Sequence, residues 1–241
     1  MLTLDHVINT SAHHGCINHD NELLPALILL DDNPGIGMVE IDFVYHNNTF
    51  ISSHDYTYEN MMKGSSLDEW IDNIIPLGKI IWIDIKDKIV SIPFSELITV
   101  DVAKLYEYLD ELKIKYPNLN DHILLSCQYV NVQAELVRLN TGYTIVHDVP
   151  WDYAYVLKEI MPLSVIKAYI HDNMIKYLKE KSGIVCIDQT FFETSTELYD
   201  FVMKLKQKTI ILYSYEKDDD IIDTSFKFPD KHIIYQYNFV I

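Results

Sequence analysis

Apolar residues in this chain fall into short β-branched runs, separated by stretches in which they recur every three or four positions. Eight runs are rich in Ile and Val and apolar almost throughout: 6–11, 38–44, 79–86, 122–127, 143–149, 183–188, 209–214 and 233–239. Parallel strands buried on both faces have this pattern. Four of the intervening stretches carry helix spacing. In 101–115, Val102, Leu105, Tyr106, Leu109 and Leu112 share a face behind Asp101, which predicts an N-cap there. The stretches 130–139, 163–181 and 197–206 repeat the pattern. Turn residues punctuate the runs at Pro34-Gly35, 140–142, Ser182-Gly183 and Pro229-Asp230.

Eight strands alternating with helices predict an α/β protein, a (β/α)8 TIM barrel. Two irregularities are expected. A short hairpin, His46-Asn47-Asn48 leading into 49–53, follows the second strand, and 218–231 has room for only a short helix. The alternative is an open, doubly wound sheet. No linker or shift in composition marks a boundary, so the reading is one barrel domain over 1–241.

Composition is that of an ordinary globular chain, 49% hydrophobic with 7 Gly and 8 Pro, and needs no staples. Charge adds more. The 19 basic residues face 36 acidic ones, for a net −17, and Arg138 is the only arginine. Such a surface repels nucleic acid and anionic membranes. Cys16, Cys127 and Cys186 are odd in number and far apart, which excludes a disulfide framework and fits a reducing compartment. No apolar stretch is long enough for a signal peptide or a membrane span, so the expectation is a cytoplasmic protein without stable membrane insertion.

Candidate chemistry concentrates in the first third. The first strand runs into His13-His14-Gly15, the second contains Glu40-Ile41-Asp42, its hairpin ends in His54-Asp55, and the third carries Asp84-Ile85-Lys86. Residues two apart on a strand share a face, so Glu40 pairs with Asp42 and Asp84 with Lys86. Taken singly, Glu40 and Asp42 read first as the wet face of an antiparallel edge strand, Asp84 and Lys86 as an ion pair on such a strand, and each histidine as a loop or turn residue. Together they place polar groups only near the C-terminal ends of three successive apolar strands, where barrel active sites lie. Buried carboxylates need a partner. A divalent cation held by Glu40, Asp42 and Asp84 supplies one, and all-oxygen ligation suits Mg²⁺ or Ca²⁺.

At these positions the sequence resembles the glycerophosphodiester phosphodiesterase family, within the phospholipase C-like phosphodiesterase barrels. The family pattern is His-Arg-Gly, Glu-x-Asp, His-Asp and acidic-x-Lys, in that order, and the match covers residues 6–87. His14 replaces the family's Arg, and Asp84 replaces its usual Glu. An Asp-x-Lys there is more like the sphingomyelinase D branch. The seventh strand reads Leu212-Tyr213-Ser214-Tyr215, without the family's late Trp motif.

The resemblance implies a metal-dependent phosphodiesterase acting on a small glycerophosphodiester or a phospholipid head group. It implies His13 as base and His54 as acid, or the reverse, with Lys86 and His14 contacting the phosphate. The alternatives are a sphingomyelinase D-like or lysophospholipase D-like lyase, and a non-catalytic barrel that binds without turnover. Gln128, Asp148, Asp188 and Asn238, at or just past strand ends, are weaker pocket candidates, with helix capping ahead for Asp148 and Asp188. Trp151, Tyr153, Phe191 and Phe192 could contact a lipid or choline-like group, though core or lid packing is the commoner fate. His147 beside Asp148 forms no metal motif by itself.

Overall fold

Val39, Ile41 and Phe43 alternate along their strand with Met38, Glu40 and Asp42, and both sets are buried, so this strand must have a packed layer on each side. The computed structural model describes residues 10–12, 21–54, 57–86, 100–127, 130–148, 164, 184–188, 209–213 and 232–237. Nine strands lie among them: β1 (Thr10–Ala12), β2 (Met38–His46), β3 (Thr49–Ser52), β4 (Ile80–Ile85), β5 (Ile123–Ser126), β6 (Thr144–Asp148), β7 (Ile184–Asp188), β8 (Thr209–Tyr213) and β9 (His232–Tyr237). Eight are parallel neighbours in the order β1, β2, β4, β5, β6, β7, β8, β9. Thr10, Ser11 and Ala12 of β1 also pair with Tyr235, Gln236 and Tyr237 of β9. The sheet is therefore a closed (β/α)8 barrel and not an open one.

β3 is the expected hairpin. It runs antiparallel to β2 through Asn47 and Asn48, whose φ angles of 50° and 63° suit the tight turn that joins right-twisted strands. The Phe43 carbonyl accepts the Lys86 N–H from the β4 side, and the Asp42 carbonyl accepts the Ser53 N–H from the opposite side. β3 thus lies on the β1 side of β2, at the barrel's C-terminal end.

Two apolar layers follow from the strand alternation. Met38, Ile80, Trp82, Leu124, Val146, Ile184, Cys186, Ile211 and Ile234 fill the barrel interior. The outward residues Val39, Ile41, Phe43, Ile81, Ile83, Ile85, Ile123 and Leu125 form a second core with the helices. Those are α1 (Leu23–Asp32), α3 (Leu67–Ile74), α4 (Val100–Leu112) and α5 (Val130–Leu139); the short α2 (Tyr58–Lys63) precedes α3 and buries none of its residues.

α3 shows how the sequence writes an element. Ser66 and Glu69 cap it reciprocally, Ser66 Oγ accepting the Glu69 N–H at 3.3 Å and Glu69 Oε2 accepting the Ser66 N–H at 2.8 Å. Leu67, Trp70, Ile71 and Ile74 then bury one stripe. Asp101, expected as an N-cap, lies inside α4, so that helix starts earlier than its apolar periodicity suggests. The expected helices 163–181 and 197–206 (residue 164, which is helical, excepted) and the connection 218–231 lie outside the described residues.

Candidate active site

The inward face of β2 changes character along its length, from Met38 in the apolar interior to Glu40 and then Asp42 toward the C-terminal mouth. β4 does the same, from Ile80 and Trp82 to Asp84, and Lys86 follows as the next residue on that face. The parallel register sets Asp42 directly opposite Asp84, and Glu40 opposite Trp82. Glu40, Asp42 and Asp84 retain only 4%, 0% and 5% exposure. Each offers a carboxylate oxygen within 4.8 Å of the others.

Lys86 joins them. Its ammonium lies 2.9 Å from Asp42 Oδ1 and 2.6 Å from Asp84 Oδ2. Burial by itself pushes the Lys86 ammonium toward deprotonation. The charges of Asp42, Asp84 and Glu40, with the hydrogen bond to Asp84, outweigh that and hold it well above the usual lysine range.

Each aspartate has a further anchor. Asn21, at a left-handed φ of 61° and fully buried, accepts the Asp42 backbone N–H on Oδ1 at 2.8 Å and donates from Nδ2 to Asp42 Oδ2 at 3.3 Å. Its own carbonyl accepts the Ser52 hydroxyl at 2.6 Å, and Ser52 Oγ accepts the Ser65 N–H at 2.9 Å. Gly64, next to Ser65, is required by this closeness: a Cβ there would stand 1.8 Å from the Ser52 carbonyl oxygen. On the other side, Asp84 Oδ1 accepts the Ser126 hydroxyl at 2.8 Å, and Ser126 Oγ accepts the Trp82 indole N–H at 2.6 Å.

His54 is exposed and follows Ser53, whose N–H is bonded to the Asp42 carbonyl. His13, His14 and Asp55 lie outside the described residues; His13 directly follows Ala12, the last described residue of β1. Asp148 and Asp188 end β6 and β7 as expected. Gln128, Asn238, Trp151, Tyr153, Phe191 and Phe192 lie outside the described residues. His147 is buried at 2% exposure on β6, alternating with the inward Val146, and burial lowers its pKa to about 4. Asn21, Trp82, Ser52 and Ser126 escaped the sequence reading. Ser126 carried the same signal as Asp84, a polar residue closing an apolar strand.

Glu40, Asp42 and Asp84 could hold a metal ion. The donor set fits a hard divalent cation: three buried carboxylates grouped with one ammonium carry a net formal charge of −2, and all the donors are oxygen.

No family model matches the chain, and no curated protein sequence matches it. Solved structures do. Glycerophosphodiester phosphodiesterase from Agrobacterium tumefaciens superposes with a TM-score of 0.60 at 13% identity, covering 95% of this chain and 94% of that one. The enzyme from Thermotoga maritima gives 0.59 at 14%, covering 95% of each chain. The fold is that of the glycerophosphodiester phosphodiesterases. An Oleispira antarctica phosphodiesterase, solved with its product sn-glycerol-3-phosphate, matches equally, at 0.59 and 14% identity over 96% of this chain and 94% of its own. In this barrel the acidic trio and Lys86 occupy the C-terminal ends of neighbouring strands, the face on which barrels of this architecture build their sites. No helix among the described residues is long and apolar enough to cross a membrane.

Proposed function

We propose that the chain is a divalent-cation-dependent phosphodiesterase cleaving a glycerophosphodiester or a related phospholipid head-group diester, with Mg²⁺ or Ca²⁺ held by Glu40, Asp42 and Asp84. The supporting observation is the convergence of these buried carboxylates with Lys86 at the mouth of a barrel whose fold is shared with phosphodiesterases. When bound, the cation supplies Lewis-acid neutralisation of phosphate charge.

The chain's own residues do the rest. Lys86 presents a compact ammonium to a phosphate oxygen, and His14 adds a second contact. His13 removes the proton from the attacking hydroxyl while His54 delivers one to the departing alcohol oxygen, or the two exchange roles, so that protons balance over the step. An imidazole can take either part near neutral pH. The nucleophile is water or the substrate's own adjacent hydroxyl, the latter giving a cyclic phosphate. The net charge of −17 favours soluble diesters and neutral lipids over anionic bilayers.

A second reading rests on Asp84 as the third acid and on the short β2–β3 hairpin: a sphingomyelinase D-like or lysophospholipase D-like lyase. Glycerophosphocholine, lysophosphatidylcholine and bis-p-nitrophenyl phosphate, each assayed with Mg²⁺, Ca²⁺ or EDTA, test both. Cation-dependent release, lost in His13→Ala and His54→Ala variants that still bind the cation, is the expected result, and the preferred diester separates the two readings. Cation binding without release from any diester points to a non-catalytic barrel and rejects the proposal.

A further inference from the structure

The polarity of the hydrogen-bond chain behind Asp84 is fixed by chemistry. An indole N–H can only donate, so the Trp82 bond to Ser126 Oγ at 2.6 Å uses an acceptor site of the hydroxyl. The single hydroxyl proton of Ser126 is then available to Asp84 Oδ1, 2.8 Å away, while Lys86 donates to Oδ2 at 2.6 Å. Both carboxylate oxygens are thus held, from two strands. Trp82 and Asp84 are successive residues on the inner face of β4, and Ser126 stands opposite Asp84 in the β5 register. Trp82, Ser126 and Asp84 are 3%, 0% and 5% exposed, so water has little part in orienting them. Asp84 has one rotatable bond fewer than a glutamate and cannot choose its own reach into the mouth. Its direction is set by what grips it.

We propose that Trp82 and Ser126 are positioning residues of the cation site, a relay in which the indole orients the hydroxyl and the hydroxyl orients the Asp84 carboxylate toward the metal. This rests on the reading of Glu40, Asp42 and Asp84 as a cation site. A relay of this kind acts in series. Removing either link releases Asp84, and removing both releases it no further, whereas two residues that merely fill space contribute independently. Partners behind a metal ligand govern affinity about tenfold to hundredfold when lost.

Calorimetric titration of the whole chain with Ca²⁺ and with Mg²⁺ tests this, using wild type, Ser126→Ala, Ser126→Thr, Trp82→Phe and the Ser126→Ala/Trp82→Phe double variant. Thermal melts without metal establish which variants are folded. The expected result is at least about tenfold weaker binding in Ser126→Ala and Trp82→Phe, recovery in Ser126→Thr, and a double variant no weaker than the worse single one. Cation addition also shifts tryptophan emission in wild type, and that shift disappears in Trp82→Phe. If Ser126→Ala does not fold, Trp82→Phe, which keeps an aromatic ring at the site, carries the comparison. Unchanged affinity in the folded variants, or strictly additive losses, overturns the relay alone. A wild type that takes up neither cation overturns the site reading and the relay with it.

Discussion

The carboxylates of Asp42 and Asp84 face each other across β2 and β4, and the ammonium of Lys86 spans them at 2.9 and 2.6 Å. Lys86 is therefore the internal counter-charge of this acidic group. Replacing it with methionine should lower the melting temperature of the metal-free protein, because two buried carboxylates lose their shared counter-charge. Loss of one partner of a buried pair costs about 3–5 kcal/mol at most. Excess Mg²⁺ or Ca²⁺ should then raise the melting temperature of Lys86→Met more than that of wild type, while turnover falls with the phosphate contact. Equal cation-induced shifts in the two proteins would show that Lys86 and the cation do not share these carboxylates.

Asn21 does two things at once, and two substitutions separate them. Its φ of 61° is tolerated by asparagine and glycine, so Asn21→Gly keeps the backbone and removes only the grip on Asp42. The buried Asp42 N–H then lacks its acceptor, at a cost of about 1–3 kcal/mol. Asn21→Ala adds the left-handed penalty, roughly 1–2 kcal/mol more. Chemical denaturation of the three proteins should rank them wild type, Gly, Ala, and a glycine variant as stable as wild type would show the clamp to be unimportant.

His147 predicts a pH dependence unconnected with the active site. Its Nδ1 has no hydrogen-bond partner among the described residues, and burial lowers its pKa to about 4 from an unfolded value of 6.5. Between those limits the unfolded chain binds a proton that the folded chain refuses. Stability contributed by the neutral imidazole is thus complete above about pH 6.5 and declines as pH falls toward 4, by at most roughly 3 kcal/mol. Denaturation curves of wild type and His147→Gln across this range should converge as pH falls. Parallel curves would mean that His147 titrates alike in both states.

Helix α3 supplies a control away from the chemistry. Ser66→Ala breaks the capping box and should cost about 1 kcal/mol without changing turnover. A loss of activity comparable to that of the metal-ligand variants would instead tie this helix to the site.

The barrel was legible because parallel strands buried on both faces are apolar along their whole length, so β2 and β4–β9 stood out as runs of Ile and Val. Closure followed from the count of eight strands, but the pairing that achieves it, Ser11 with both Met38 and Gln236, joins residues at opposite ends of the chain and leaves no local signal. α1 escaped because Leu-Leu-Pro-Ala-Leu-Ile-Leu-Leu is apolar on nearly every side and has no helical period to detect. α3 carries a Ser66–Glu69 cap and an apolar stripe, but its eight residues are fewer than the window over which a helical period stands out. For the site, the two-residue spacing put Glu40 with Asp42 and Asp84 with Lys86, each pair on one face of its strand, and the parallel register of β2 with β4 brings the two pairs together. Asn21 could not be placed that way. It lies 21 residues before Asp42, in the segment leading into α1, and only the folded chain brings the two together.

The central claim, that Glu40, Asp42 and Asp84 hold a divalent cation for phosphodiester chemistry, is tested most directly by diffraction from crystals grown with Mn²⁺ and sn-glycerol-3-phosphate. The account predicts an anomalous peak ligated by all three carboxylates at about 2.0–2.6 Å, the span of hard-cation–oxygen distances. A phosphate oxygen should share the ion, and Lys86 should be turned to the phosphate. A peak elsewhere, or Lys86 still spanning Asp42 and Asp84 with no cation among the three acids, would contradict it.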